Sequence, residues 1–284
     1  MKKIALVLEG GSLRCLFTAG VVDVLLNEGL LADGVFGVSA GALTGVNYVA
    51  GQIGRTADVN INFVNDKHYL GVRNLLLHRS IFNFDYLFGE ISHEYLPFDY
   101  DAFDNSPMAY TAVATDCRTG KPVYCEKGSC GDIWSAIRAS ASMPLLAPMV
   151  DVEGVPCLDG GVSVSIPYQR ALDEGYEKLI IVTTRQHGFQ RPAVSKTTAR
   201  LYTRMYRGYP MLIKALLNAS KRYNRELIDV DRLELSGRAF VIRPPKPVTV
   251  SRTEKDTAKL QALYEEGIEE TEKRLEALKA FWNR

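Results

Sequence analysis

The sequence predicts an α/β fold with a central, mostly parallel sheet flanked by helices, and three observations carry that expectation. Two strand-loop-helix units follow one another within the first fifty residues. The apolar runs are continuous rather than alternating, as in strands covered on both faces. A further run of this kind, KLIIVTT at 178–184, recurs late in the chain.

Residues 4–8 are an unbroken apolar run ending at Gly10-Gly11, a buried strand feeding a tight turn. Leu16, Phe17, Val21, Val24 and Leu25 recur at helical spacing, and Gly29 supplies a C-cap. Residues 35–38 form a second short strand, followed by Ser39-Ala40-Gly41 and a helical stretch at 42–49. This order demands parallel strands in a covered sheet. Residues 55–105 read as helices and loops rich in aromatics. Strands at 108–115 and 122–125 are expected to pair around a Thr119-Gly120 turn, and 132–141 reads as a short helix stopped near Pro144. Glu153-Gly154 marks a hairpin between 150–152 and 155–158. Residues 196–235 read as mainly helical, 240–242 as the last strand and 244–247 as a Pro-rich rigid linker. From Thr253 onward the chain reads as one amphipathic, highly charged helix. Its apolar positions include Leu260, Leu263, Ile268 and Leu278, which suits core docking or a dimer contact. The sequence sets no oligomeric state.

Composition supports a folded chain with room for a pocket: 284 residues, 46% hydrophobic and 24% charged, which excludes general disorder. Met1-Lys2-Lys3 could head a signal peptide, but only five apolar residues precede Glu9, short of the roughly 7–15 a leader needs. No run approaches the roughly 20 apolar residues of a membrane span. The five cysteines are odd in number and form no CxxC pair, which suits a reducing compartment and predicts core or loop thiols, with no metal site. The expected location is cytoplasmic.

The strongest chemical signal is Gly37-Val38-Ser39-Ala40-Gly41, a G-x-S-x-G between a strand and a helix. A serine there stands on a sharp turn over a helix N-terminus, and the small neighbours Gly37 and Gly41 relieve the crowding. The plain alternative is a packing turn with Ser39 as an N-cap. A second signal, Glu9-Gly10-Gly11-Ser12-Leu13-Arg14, sits between the first strand and the first helix. Its N–H groups suit either a phosphate or an oxyanion, but the Gly-Lys-Ser/Thr of a P-loop and the third glycine of a dinucleotide loop are missing. The third signal is Asp159-Gly160-Gly161, by itself often only a turn. A serine hydroxyl needs a base within hydrogen-bond reach, and a partly buried carboxylate can serve. His68, His78 and His93 lie in the aromatic middle section, whereas His187 completes the order Ser39, Asp159, His187 of an α/β-hydrolase. Against that rival, only one strand-helix unit precedes Ser39.

Together and in this order, the three motifs resemble the patatin-like phospholipase family over roughly residues 3–185. The stretch Ala139-Ser140-Ala141-Ser142-Met143-Pro144 is similar to the family's segment before its Asp motif. The resemblance is closest to bacterial, single-domain members. It implies a three-layer patatin-like domain over 1–243, including the basic helical segment 196–235, with 244–284 as linker and terminal helix. It also implies a Ser39–Asp159 dyad without a catalytic histidine, an oxyanion hole from Gly10, Gly11 and Ser12, and no cofactor. The expected activity is hydrolysis of carboxylic esters of phospholipids or related lipids through an acyl-enzyme. Ser12 and Cys15 stand where the family commonly has glycine, and Ile166-Pro167 where Asn-Pro is common. Arg14 matches the family's arginine and could orient an anionic head group, order the loop or form a surface ion pair. A His187-dependent esterase and a catalytically weak lipid-binding protein are the alternatives.

The formal charge of +1 hides a segregated distribution. Residues 178–225 carry eleven basic and no acidic residues, leaving 23 basic against 33 acidic elsewhere, or −10. Aromatic and aliphatic residues interleave with the basics, which suits an anionic lipid surface at the membrane's inner face as well as a helix packed on the core. No nucleic-acid motif accompanies the stretch, and no nucleic-acid partner is expected.

Overall fold

The computed structural model describes residues 3–77 and 79–284; Met1 and Lys2 of the would-be leader, and His78, lie outside the described residues. Eight strands form one sheet: β1 (Ile4–Leu8), β2 (Gly34–Val38), β3 (Ala109–Asp116), β4 (Pro122–Glu126), β5 (Val150–Val152), β6 (Val155–Asp159), β7 (Lys178–Val182) and β8 (Ala239–Ile242). Their order is β5-β6-β3-β2-β1-β7-β8, with β4 also on β3. The run β3-β2-β1-β7-β8 is parallel, and β4, β5 and β6 pair antiparallel. The sheet is therefore mixed, with a parallel centre, and the chain is α/β as its strand-helix alternation predicts. Every residue of β1, β2 and β7 is buried. Helices cover both faces there, so these strands show no polar alternation.

Helix α1 (Cys15–Asn27) follows β1 through a tight turn at Ser12–Arg14. It stops because Gly29 takes φ 66° and lets the Leu30 N–H reach the Leu25 carbonyl at 2.9 Å. Helix α2 (Ala40–Val49) follows β2 directly. The aromatic section contributes α3 (Arg55–Phe63), α4 (Val72–Leu77), α5 (Phe84–Tyr86), an irregular helical stretch at Leu87–Tyr95 and α6 (Tyr100–Asn105). Phe98 and Phe103 from this section meet Trp134 edge-on or tilted, with ring centroids 5.3 and 5.4 Å apart. Trp134 lies on α7 (Ile133–Ser140), which Asp132 caps by accepting from the Trp134 and Ser135 N–H groups. Helix α8 (Tyr168–Asp173) leads into β7.

The basic helical segment 196–235 is two helices, α9 (Lys196–Met205) and α10 (Pro210–Leu235). Helix α10 buries Leu212, Ala215, Leu216 and Tyr223, whereas α9 buries nothing. The terminal helix expected from Thr253 is also two, α11 (Thr257–Lys273), capped by Asp256, and α12 (Leu275–Trp282). The break falls at Arg274, whose guanidinium donates to the Val241 carbonyl and lies 4.4 Å from the centroid of the Phe240 ring. Tertiary contact to β8, rather than helix propensity, ends α11. Helix α11 docks on α1 through buried Leu260 and Leu263 and a 2.8 Å hydrogen bond from Tyr264 Oη to Asp23. Among the described residues, no helix is long and apolar enough to cross a membrane.

Register explains why two distant motifs meet. Strand β2 runs along β3 as far as Val38 opposite Val113. Strand β4 occupies the other edge of β3 from Thr111 to Thr115. Strand β6 must then use the edge that β2 leaves, and it does so from Ala114 opposite Asp159. β2 and β6 end head to head, which brings the residue after Val38 against the last residue of β6.

Candidate active site

Ser39 is that residue. Its backbone takes φ 55° and ψ −125°, a strained region for a side chain with a Cβ. Its hydroxyl does not cap α2, which removes the plain packing-turn reading. It donates instead to Asp159 Oδ2 at 2.7 Å, in a buried contact across 120 residues of sequence. Ser140 holds the elbow from behind: its hydroxyl accepts from the Ser39 N–H at 2.8 Å and donates to the Val113 carbonyl at 2.6 Å. Gly37 sits within β2, opposite Leu8 and Ala112. Gly41 has no room for a side chain, since a Cβ there would lie 2.5 Å from the Leu8 carbonyl oxygen.

Asp159 is fixed just as firmly. Its N–H bonds the Ser142 carbonyl at 2.8 Å, its carbonyl accepts from Thr115 Oγ1 at 2.9 Å, and Oδ1 accepts from the Gly161 N–H at 2.8 Å. Burial pushes its carboxyl up to about 6, against the pull of the Ser39 and Gly161 hydrogen bonds and of the charges on Arg252 and Arg191. The group is thus ionised at neutral pH yet far more basic than an exposed aspartate.

The glycine loop lies against the nucleophile. A Cβ on Gly10 would stand 2.9 Å from the Cβ of Ser39, so only glycine lets the loop come this close. The N–H groups of Gly10, Gly11 and Ser12 meet no acceptor among the described residues. Such donors beside a serine hydroxyl can receive a developing oxyanion. Ser12 has φ 51°, which costs a residue with a Cβ about 1 kcal/mol. Its hydroxyl offsets that cost by donating to the Arg252 carbonyl at 2.7 Å, a bond that glycine cannot make. Cys15 is buried, and burial pushes its thiol up to about 11, which leaves it protonated and inert.

The surface ion pair considered for Arg14 does not form. Arg14 is only 7% exposed, and its Nε has no acceptor among the described residues. His187 is not brought to Ser39. It is exposed, with Nδ1 2.7 Å from an Arg243 nitrogen and 3.6 Å from Asp231. His68 pairs with Asp66, and His93 stacks on Tyr100.

Two spaces meet at Ser39. One is narrow, about 80 Å³, and apolar, walled by Leu43, Val46, Phe84, Leu87, Phe98 and Trp134. The other is a cleft of about 410 Å³ that holds Asp159, the glycine loop and the side chains of Arg14, Arg185, Arg191 and Arg252. The cleft opens beyond the carboxyl ends of β1, β2 and β7, where doubly wound sheets place their ligands. Glu9 braces its floor, accepting from the Thr184 N–H at 2.7 Å and from Tyr223 Oη at 2.8 Å. Sequence reasoning missed the bracing roles of Ser140, Thr115 and Glu9 and the place of Arg252. Only the Ser140 stretch carried a signal, through its motif.

A family model described as patatin-like phospholipase matches residues 6–172, and one described only as a domain of unknown function matches residues 209–283. The uncharacterized protein YjjU of Escherichia coli is 28% identical over 261 residues, which cover 87% of this chain and 70% of that protein. An uncharacterized NTE family protein of Mycobacterium tuberculosis is 27% identical, over 72% of this chain and 56% of its own. Lysophospholipase nte1 of Aspergillus terreus is 27% identical over 60% of this chain, but only 11% of that much longer protein is matched. Among solved structures, VipD from Legionella pneumophila superposes with a TM-score of 0.54 at 11% identity, covering 97% of this chain and 67% of VipD, a likeness of fold alone.

Proposed function

The chain belongs to the patatin-like phospholipase family, and from that premise we propose that it is a serine lipid acyl hydrolase working through a Ser39–Asp159 dyad. The observation that carries the reading is the 2.7 Å bond from an uncapped, strained Ser39 hydroxyl to a buried Asp159. Ser39 Oγ attacks the ester carbonyl while Asp159 Oδ2 takes its proton. The N–H groups of Gly10, Gly11 and Ser12 hold the oxyanion. Asp159 returns the proton to the leaving alcohol, the acyl group stays on Ser39, and water activated by Asp159 releases it. The apolar space beside Ser39 suits the acyl chain, and the arginine-lined cleft suits the alcohol portion. Covalent trapping tests this: a fluorophosphonate should modify Ser39 in the folded protein, seen as one adduct by peptide mass spectrometry. An unmodified Ser39, with no hydrolysis across a panel of lipid and simple esters, would favour a lipid-binding role.

We further propose that α9 brings the cleft to an anionic bilayer. This helix exposes Leu201 and Met205 among exposed Lys196, Arg200 and Arg204, with exposed Arg207 in the turn that follows, while its Thr198 and Tyr202 line the cleft. Binding to phosphatidylglycerol vesicles is expected to exceed binding to phosphatidylcholine vesicles and to fall as salt rises. Equal binding to both, or binding unmoved by salt, removes the membrane reading.

A further inference from the structure

Arg14, Arg185, Arg191 and Arg252 come from four separate segments and line one cleft. They arrive from the turn after β1, the end of β7, the loop before α9 and the strap between β8 and α11. Among the described residues, none of the four has a carboxylate partner within ion-pair distance. Arg185 spends one N–H on the Val248 carbonyl and lies over Phe189, and Arg191 lies over Tyr223. The two carboxylates in the cleft are already engaged, Glu9 by Thr184 and Tyr223, and Asp159 by Ser39 and Gly161. Arg14 cannot escape into solvent, and its Nε is unpartnered. Burial and the nearby Arg185 push its guanidinium down to about 10, so it stays charged at neutral pH, at a cost. Four cations against two engaged carboxylates leave the cleft with an excess of positive charge, which suits an anion.

We infer that the four arginines hold a terminal phosphate, and that the preferred substrate is an acyl ester whose alcohol portion ends in a phosphate monoester. The inference rests on the ester-hydrolase reading and deepens it. Guanidinium forks match phosphate oxygens in pairs, and a dianion answers several of them at once. A cationic extension beyond the phosphate, as in a choline ester, would meet arginines and find no free carboxylate. The Ser12–Arg252 bond has a role here, because it ties the strap that delivers the fourth arginine to the oxyanion loop. Phosphate recognition and the catalytic turn are thereby coupled.

The experiment compares kcat/KM at pH 8 for a 1-acyl-glycerol phosphate, its choline ester and the matched uncharged 1-acyl-glycerol. The wild type should prefer the phosphate monoester over both by about tenfold or more, the scale of one hydrogen bond to a charged group. Arg191→Gln and Arg252→Gln, at half-buried and exposed positions, should each shrink that preference several-fold. Equal rates on the three esters, or a preference unchanged in both variants, overturn the inference and leave the hydrolase standing. No turnover of any ester with Ser39 unmodified by fluorophosphonate overturns the hydrolase reading, and the substrate assignment with it. A second arm separates a lipid phosphate from a free one. If inorganic phosphate competes with the uncharged ester while the acylated phosphate is not hydrolysed, the cleft is an effector site and the assignment fails.

Discussion

Ser39→Ala should lower ester hydrolysis by about 10³-fold or more, because it removes the atom that carries the acyl group. The oxyanion donors of the glycine loop survive the change, so some acceleration over water should remain. Folding should survive too. The hydroxyl does not cap α2, and among the described residues it bonds to Asp159 alone. The bond that holds the elbow, from the Ser39 N–H to Ser140 Oγ, uses the backbone and is kept. Loss of turnover with an unchanged circular dichroism spectrum is the expected pair of results. A variant that retained a tenth of wild-type turnover would mean that Ser39 is not the nucleophile.

Asp159→Asn should cost about 10²–10⁴-fold, the range for removing a positioned general base. The isosteric amide keeps the bond from the Gly161 N–H but cannot take the Ser39 proton. In the wild type the base must be ionised, and burial has pushed its pKa up to about 6. Activity should therefore fall as pH drops through about 6, where an unburied aspartate would hold its activity down to about pH 4. Stability should respond in the opposite sense. A carboxyl whose folded pKa lies above its unfolded value favours folding while protonated, at low pH, and that contribution is lost as pH rises from about 4 through about 6. Asp159→Asn stays uncharged, so at pH 8 it should melt above the wild type while being far less active. His187→Ala, by contrast, should keep turnover within about twofold, since this residue pairs with Arg243 and Asp231 outside the cleft. Wild-type rates in Asp159→Asn together with a collapse in His187→Ala would reverse the assignment of the base.

The two halves of the site were unequally legible. Ser39, Gly37 and Gly41 could be read locally, because a strand, a crowded turn and a helix follow within a dozen residues and leave period and glycine signals. Asp159 was weak alone and gained weight only beside the other motifs, since Asp-Gly-Gly is an ordinary turn. Arg252 gave no sign at all. It stands between the Pro-rich linker and the helix expected from Thr253, where the structure has a non-helical strap held by Ser12. The acyl-side wall was equally hidden, because the aromatics between 55 and 105 have no single period and take their positions from one another and from Trp134.

By itself, the sequence determined the α/β class, the parallel centre of the sheet and the serine elbow. These rest on interactions within a few residues or on burial so complete that it shows as unbroken apolar runs. Tertiary structure alone decided that Asp159 meets Ser39, that Arg14 is buried without a partner, and that the basic stretch lends two arginines to the cleft while α9 stays open to solvent. The reason is register. Which edge of β3 remains for β6 depends on where β2 ends and β4 lies, and no local preference of the chain encodes that pairing.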